Sequence, residues 1–385
     1  STDADNELPD WATWRSSEPL TIGIEEEFML LDPRDWSLAF RSDQVIAGLK
    51  PDVRDRVTPE THAAVMEVTT GVHRRVADAI AELGALRRSL ARSLAAHGLR
   101  AAVAGMHPTA VWPETVPSSA PRYRHIGDAM RVLARREPTL ATHVHVGVAT
   151  PRAAVRLLNR LRAHLPLLLA LSANSPFWQG RATGFASTRT TVFDAFPRTG
   201  LPRTFRSYDE WIASVDGLVR SGAIEDPSFL WWDARLQPRY GTVEIRIMDA
   251  QTTLDDVAGL VALVQSLARM ELAHPEDPDE QPPAVELVAE SRFLAARDGM
   301  KALLIDPESG SRVPAVALLE RVLHACRRHA YQLGCERELA GLRARRDAGG
   351  AARQLSLGRS GDLDRVTASL ARAYFLAFEP ARRAA

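Results

Sequence analysis

Apolar and polar residues alternate one by one in three separated stretches, TIGIEEEF at 21–28, ATHVHVGV at 141–148 and GTVEIRIMD at 241–249. A period of two predicts β-strands with unlike faces. Ile22, Ile24 and Phe28 then share one face and Glu25 and Glu27 the other. By the same rule Val144, Val146 and Val148 oppose His143 and His145, and Val243, Ile245 and Ile247 oppose Glu244 and Arg246. Glu26 breaks the pattern by falling on the apolar face. An unpaired carboxylate there costs several kcal/mol, so it requires an arginine partner or a wet strand end.

Val65–Thr69 reads as a further short strand, and 73–97 as a helix with Val76, Ile80, Leu83, Leu86, Leu90 and Leu94 on one stripe, stopped by Gly98. A strand over 99–105 and a surface loop rich in Pro, Ser and Thr over 107–121 come next. Thr150 and Pro151 are the cap and first residue of a helix toward Leu165, which Pro166 kinks or ends. Periodicity is lost from 172 to 206, a length of loop that is uncommon unless it is functional or mobile. Thr253 and Asp256 form a capping box, with Asp in place of the usual Glu or Gln, for a helix to about Ala273. The acidic, proline-rich HPEDPDEQPP at 274–283 is linker-like, and 284–380 is mainly helical.

Strict strand–helix alternation is missing, which predicts an α+β fold on a largely antiparallel sheet. The expected organisation is an N-terminal extension over 1–20, a catalytic part over 21–273, the 274–283 loop, and a helical part over 284–385 packed on the same domain. No fixed-period repeat and no glycine-rich phosphate loop is present.

Lys plus Arg equals Asp plus Glu at 48 each, which excludes a global field for nucleic acid or an anionic membrane. Only Lys50 and Lys301 are lysines, so arginine is the default cation and any single Arg carries little weight. Two cysteines in 385 residues are no disulfide framework. The acidic start STDADNELPDWATW lacks the profile of a secretory leader, and the longest apolar run, 165–173, is about half a bilayer span. A soluble, cytoplasmic protein is expected.

The loaded faces carry carboxylates, imidazoles and a guanidinium, the groups that bind cations and phosphates. Glu25 and Glu27 on one face lie within about 7 Å, where joint ionisation is disfavoured unless a cation intervenes. A solvent-facing acidic edge strand accounts for that pair equally well. His143 and His145 side by side suit a metal or a phosphate contact, although core imidazoles held by hydrogen bonds look the same in sequence. Glu67 gains weight only as a further strand acid. Asn174 and Arg189 lie in the irregular region, where holding a substrate and plain turn chemistry are both open readings. His73 and His107 are read as structural.

Taken together, GIEEEF, MEVTTGVH, THVHVG, NRLRAHLPLLLALSANSPFWQG, TGFASTRT and GTVEIRIMDA, with ESRFLAARDG and LGCERELAGL near the C-terminus, resemble glutamate-cysteine ligase family 2, the bacterial carboxylate-amine ligases. The resemblance spans roughly residues 20 to 375. It implies a glutamine synthetase-like catalytic fold, an antiparallel sheet forming a funnel with flanking helices, binding ATP and two or more divalent ions. Matched residue by residue, it implies metal binding by Glu25, Glu27, Glu67 and Glu244; for the histidines the match is to the pair, and analogy to ligases of the wider superfamily favours His143 as the metal ligand. The resemblance implies a contact to phosphate or to a metal ligand by His145, and contacts to nucleotide phosphate or the acyl substrate by Arg246 and Arg189 as the catalytic cations; Asn174 is taken as a further cofactor-binding candidate from its place in the irregular region. FASTRT stands where the family often shows YASYRT, which bears on acceptor specificity more than on reaction type.

The implied reaction activates the side-chain carboxylate of glutamate, or of a similar acid, by phosphoryl transfer from ATP. An amine such as cysteine then displaces phosphate from the acyl phosphate. Mg²⁺ suits a site of several Glu and one His, and Mn²⁺ is compatible. Small-molecule substrates are the expected partners, without nucleic acid or membrane, and a homodimer is what such families suggest. Two other readings use the same residues: a metal-dependent hydrolase needing no ATP, and a catalytically silent nucleotide-binding protein of this fold.

Overall fold

The computed structural model describes residues 8–275, 282–307, 309–345 and 348–376. Most of the linker-like 274–283 run, the first seven residues and those after 376 lie outside them. The central sheet holds β1 (Ile22–Leu31), β2 (Val57–Pro59), β3 (Val65–Thr69), β4 (Arg100–Ala102), β5 (Thr142–Gly147), β6 (Ala234–Gln237) and β7 (Thr242–Ile245). Its order is β6-β7-β5-β1-β3-β2, with β4 also paired to β1, and every pairing in it is antiparallel. Among the described residues the sheet is not closed: β6 and β2 are its edges. The enclosure over its loaded face therefore comes from other segments, in place of the sheet-built funnel that the resemblance implied.

Register brings the three predicted strands side by side. Glu25 is opposite His143, Glu27 opposite Glu67, and Glu244 opposite His145. The apolar face packs against helices. Leu254–Ala273 is buried on all sides from Asp256 to Ala268, lying between β5 and the helices Val76–Ala96, Pro151–Leu161 and Ala315–Leu333. Burial all round requires a largely apolar surface, which VAGLVALVQSLA supplies, and the buried Gln265 amide donates to the Leu20 and Arg74 carbonyls. Its cap is as expected: the Thr253 hydroxyl accepts from the Asp256 N–H at 3.2 Å and donates to the Asp256 carboxylate at 2.5 Å. One contiguous core runs from Ala12 to Tyr374.

Several boundaries differ from the sequence reading, each for a local reason. The Val76–Ala96 helix begins three residues late because His73 is still bridged to Ile22. Pro166 sits in the first turn of a second helix, Leu165–Ser172, where its missing N–H costs nothing; the break is a short 3₁₀ turn at Arg162–His164. The third loaded strand stops at Ile245, since the Arg246 and Ile247 N–H groups both turn to the Asp233 carbonyl at 2.8 and 3.1 Å. The strand over 99–105 shrinks to Arg100–Ala102, and a Pro121–Met130 helix follows the loop. Within 172–206 lie a Phe177–Trp178/Arg181–Ala182 hairpin and a Thr188–Phe193 helix. The C-terminal part is helical apart from a Leu303–Ile305/Arg312–Pro314 hairpin.

Residues 10–20 pack along the ends of the central strands. Gly241, with φ +62, closes the turn between β6 and β7, and a Cβ there would stand 1.9 Å from the Arg15 carbonyl oxygen. A Cβ on Gly147 would stand 2.3 Å from that of Glu18. Both positions need glycine for this close backbone approach. No helix among the described residues is long and apolar enough to cross a membrane. Cys326 and Cys335 are free and buried.

Candidate active site and metal-binding cluster

Over the loaded face lies a cavity of about 730 Å³, bordered by Glu25, Glu27, Glu67, His143, Arg189 and Arg246 among others. This face is enclosed, not solvated: His143 is 2% exposed and Glu244 0%. The acidic-edge-strand reading of Glu25 and Glu27 is therefore overturned, because β1 is flanked by β3 and β5.

His143 stands at the centre. Its Nδ1 is 3.1 Å from Glu25 Oε2 and 3.9 Å from both Glu67 Oε2 and Glu244 Oε1, and its Nε2 is 4.0 Å from Glu27 Oε1. Two three-residue groups share this imidazole, Glu25–His143–Glu244 and Glu27–Glu67–His143, each with ligand atoms within 4.8 Å of one another. His145 belongs to neither group. Its Nδ1 meets the Thr242 hydroxyl at 2.9 Å while its Nε2 lies 3.2 Å from Glu25 Oε1 without a well-formed hydrogen bond.

Electrostatics divides the acids into two kinds. Burial opposes ionisation of Glu244, but the Arg235 and Arg246 guanidiniums outweigh it and hold the carboxyl well below its usual range. Arg235 Nε and Gln237 Nε2 donate to Glu244 at 2.6 and 2.7 Å, and Arg246 pairs with its other oxygen. Glu25 is likewise held low: burial is outweighed by the charge of His145 beside it and by the hydrogen bond from His143. Glu27 is pushed up to about 8 by burial and the charge of Glu60, although it accepts the Ala141 N–H at 2.7 Å. Glu67 is pushed well above its usual range by burial and by Glu25, Glu60 and Glu27. Burial, and then the charge of Arg246, hold His143 down to about 4, so its imidazole is neutral and can ligate.

Unlike Glu244, neither Glu27 nor Glu67 is ion-paired to an arginine among the described residues, and a divalent cation would supply the positive charge they lack. Oxygen ligands with a single imidazole fit Mg²⁺ and Mn²⁺. Arg189 borders the cavity with Nη1 on the Ile247 carbonyl at 3.0 Å and Nη2 on that of Arg246 at 3.3 Å. Asn174 is a correction. It does not border the cavity, because its amide is spent inside the fold: Nδ2 donates to the Ala250 carbonyl and the Thr252 hydroxyl, and Oδ1 accepts from Gln354. Its role is to tie the C-terminal part to the end of the sheet.

Glu60, Tyr123, Arg235 and Gln237 also border the cavity and were not singled out from sequence. DARLQ alternates as the other loaded strands do, so Arg235 and Gln237 were findable. Glu60, whose Oε1 accepts from the Tyr123 hydroxyl at 3.0 Å, sits outside any periodic run and gave no signal.

The model of glutamate-cysteine ligase family 2 matches residues 21–369. The chain belongs to that family. “Putative glutamate--cysteine ligase 2-3” of Rubrobacter xylanophilus is 40% identical over 362 residues, covering 93% of this chain and 98% of the relative. “Putative glutamate--cysteine ligase 2-1” of the same organism is 38% identical over 322 residues, covering 84% and 85%. Among solved structures, glutamate–cysteine ligase (gshA) from Francisella tularensis in complex with AMP superposes with a TM-score of 0.71 at 12% identity, covering 96% of this chain and 91% of that one. At that identity the likeness is one of fold, and it bears out the mixed helical and antiparallel-sheet class. Membership of family 2 makes this chain kin to carboxylate-amine ligases.

Proposed function

We propose that this protein is an ATP-dependent carboxylate-amine ligase, joining the side-chain carboxylate of glutamate, or of a similar acid, to an amine through an acyl phosphate. The observation that carries the reading is the pair of three-residue groups sharing His143 on one enclosed sheet face. Family membership and the AMP complex of the F. tularensis ligase support it. Glu25, His143 and Glu244 would hold one divalent ion, and Glu27, Glu67 and His143 would hold a second. Ions held there would neutralise charge on the phosphoryl group being transferred.

The chain's own residues supply the rest. A carboxylate resists an amine because it is anionic and lacks a leaving group, so the reaction needs positive charge and exclusion of water. Arg246, just after β7, and Arg189, on the Thr188–Phe193 helix, border the cavity and would supply that charge. Arg235 and Gln237 fix Glu244 in its ionised form.

Phosphate release and new amides, read by mass spectrometry, are to be measured for glutamate and related acids against a panel of amines. Amide formation should require both ATP and Mg²⁺ or Mn²⁺. Turnover that persists without ATP would sink the ligase in favour of a hydrolase. Metal-dependent ATP binding with no turnover on any acceptor would favour a silent binding protein.

A further inference from the structure

Away from the metal-binding acids, the cavity is bordered by a carboxylate that nothing in the proposed chemistry uses. Glu137 is 4% exposed. Its Oε1 accepts from the Trp112 N–H at 3.2 Å and from the Gln179 amide, while its Oε2 is buried with no hydrogen-bond partner. Among the described residues no Lys, Arg or His is ion-paired to it within 4 Å. Its neighbour His62, 5% exposed, is held to about 4 by burial and so is neutral near pH 7. A buried carboxylate with only neutral donors is costly unless a cation reaches it.

Gln179 supplies the route. It sits at the exposed tip of the Phe177–Trp178/Arg181–Ala182 hairpin and reaches down to Glu137 from there. Its amide is neutral, and an exposed side chain is readily displaced. Glu137 therefore has one oxygen without a hydrogen bond and one shared between the Trp112 backbone N–H and a removable donor, beside a cavity of about 730 Å³.

We propose that Glu137 is an ammonium-binding position, taking the primary ammonium group of an amino-bearing substrate, with Gln179 standing in for that group when the substrate is absent. The assignment rests on the ligase reading for the nature of the ligand. A carboxylate accepting from an ammonium forms a charge-assisted hydrogen bond, roughly twice as strong as a neutral one. The acid substrate and the amine acceptor can each bring an ammonium group, and binding measurements tell them apart without turnover.

Calorimetry on the full chain compares L-glutamate with glutarate, which lacks the ammonium, and L-cysteine with 3-mercaptopropionate, which likewise lacks it. The wild type should prefer the ammonium-bearing member of one pair by about tenfold or more, and that pair names the substrate. Glu137→Gln should abolish the preference while leaving ATP binding unchanged. If that variant melts far below the wild type, Glu137→Asp carries the test, with the preference reduced but retained. A wild type without preference in either pair, or a Glu137→Gln protein that keeps it, overturns the proposal. Binding preference without amide formation would count against the ligase reading alone.

Discussion

Glu26 and Glu27 are consecutive on β1, yet their side chains lie on opposite faces of the sheet in unlike surroundings. Glu26 is fully buried and is met by an equally buried Arg87, whose Nε lies 2.8 Å from one carboxylate oxygen while Nη2 pairs with the other. The remaining donors of Arg87 reach the Gln251 and Thr252 carbonyls at 3.0 and 3.1 Å, and its guanidinium lies 5.2 Å from the centre of the Tyr374 ring. Every charge on that face is answered from within the chain. Glu27 faces Glu67 across the strand pair and lies close to Glu60, and burial with that charge pushes it up to about 8. The back of the sheet is electrostatically complete, whereas the front is complete only with a ligand. Burial of a carboxylate therefore says little about function until its partners are counted.

Breaking the back-face pair should have the largest effect. Arg87→Met leaves Glu26 charged and unanswered and should cost about 3–5 kcal/mol in denaturant unfolding. Glu26→Leu combined with Arg87→Met removes both charges and should recover most of that loss. A single variant as mild as the double would mean that the pair is not the closed unit described. On the front face the expectation reverses. Glu27→Gln should leave stability equal or raised, because one crowding carboxylate is gone. ATP-dependent phosphate release should fall by about a hundredfold or more, the scale of losing a group that stabilises transferring charge. Normal turnover in that variant would remove Glu27 from the site.

The same contrast explains what the sequence made legible. Strand alternation assigned Glu25, Glu27, His143, His145 and Glu244 to one face, because a period of two survives whatever covers the sheet. It also marked Glu26 as needing a partner, without saying which: Arg87 lies on a helix whose stripe is read by apolar positions, so a buried Arg beside Leu86 looks like an ordinary charged flank. Asn174 was misplaced because its partners, Gly105, Asp249, Ala250, Thr252 and Gln354, come from segments distant in sequence. The enclosure of the loaded face was also invisible, since it depends on 10–15, 122–139 and 226–240 converging over the sheet. Glu137 lies in the second of those stretches and Glu60 directly after β2, and at both positions chemistry is set by tertiary approach alone.

A smaller effect tests whether a buried histidine can belong to the complete half of the molecule. His107 donates from Nε2 to the Trp36 carbonyl at 2.8 Å, and its Nδ1 accepts the Thr109 and Ala110 N–H groups at 3.2 and 3.1 Å. Protonating Nδ1 would break both of those bonds, and burial already holds the ring down to about 4 from its ordinary 6.5. The unfolded chain thus binds more protons between those values. The stability is fully present above pH 6.5 and is lost as pH falls through about 4. The whole contribution is about 3 kcal/mol. His107→Asn, whose side-chain oxygen can replace Nδ1 as acceptor, should be less stable at pH 7 and flatter across that window. An unchanged slope would show that His107 is not neutral in the fold.

The comparison sharpens most directly when the missing charge is added back. Mg²⁺ or Mn²⁺ bound only by the folded protein should raise its stability, by about 2.7 kcal/mol at a hundredfold excess over the dissociation constant. That gain should shrink in Glu27→Gln, which lacks one of the three residues in the second group. It should persist in the Glu26→Leu, Arg87→Met double variant, because the back face offers no site for a cation once its own pair is gone. Equal gains in all three proteins would place the ion elsewhere. Loss of the gain in the double variant would mean that the two faces of β1 are coupled through the strand, and that closing the charges behind the sheet is itself a condition for gathering the acids in front of it.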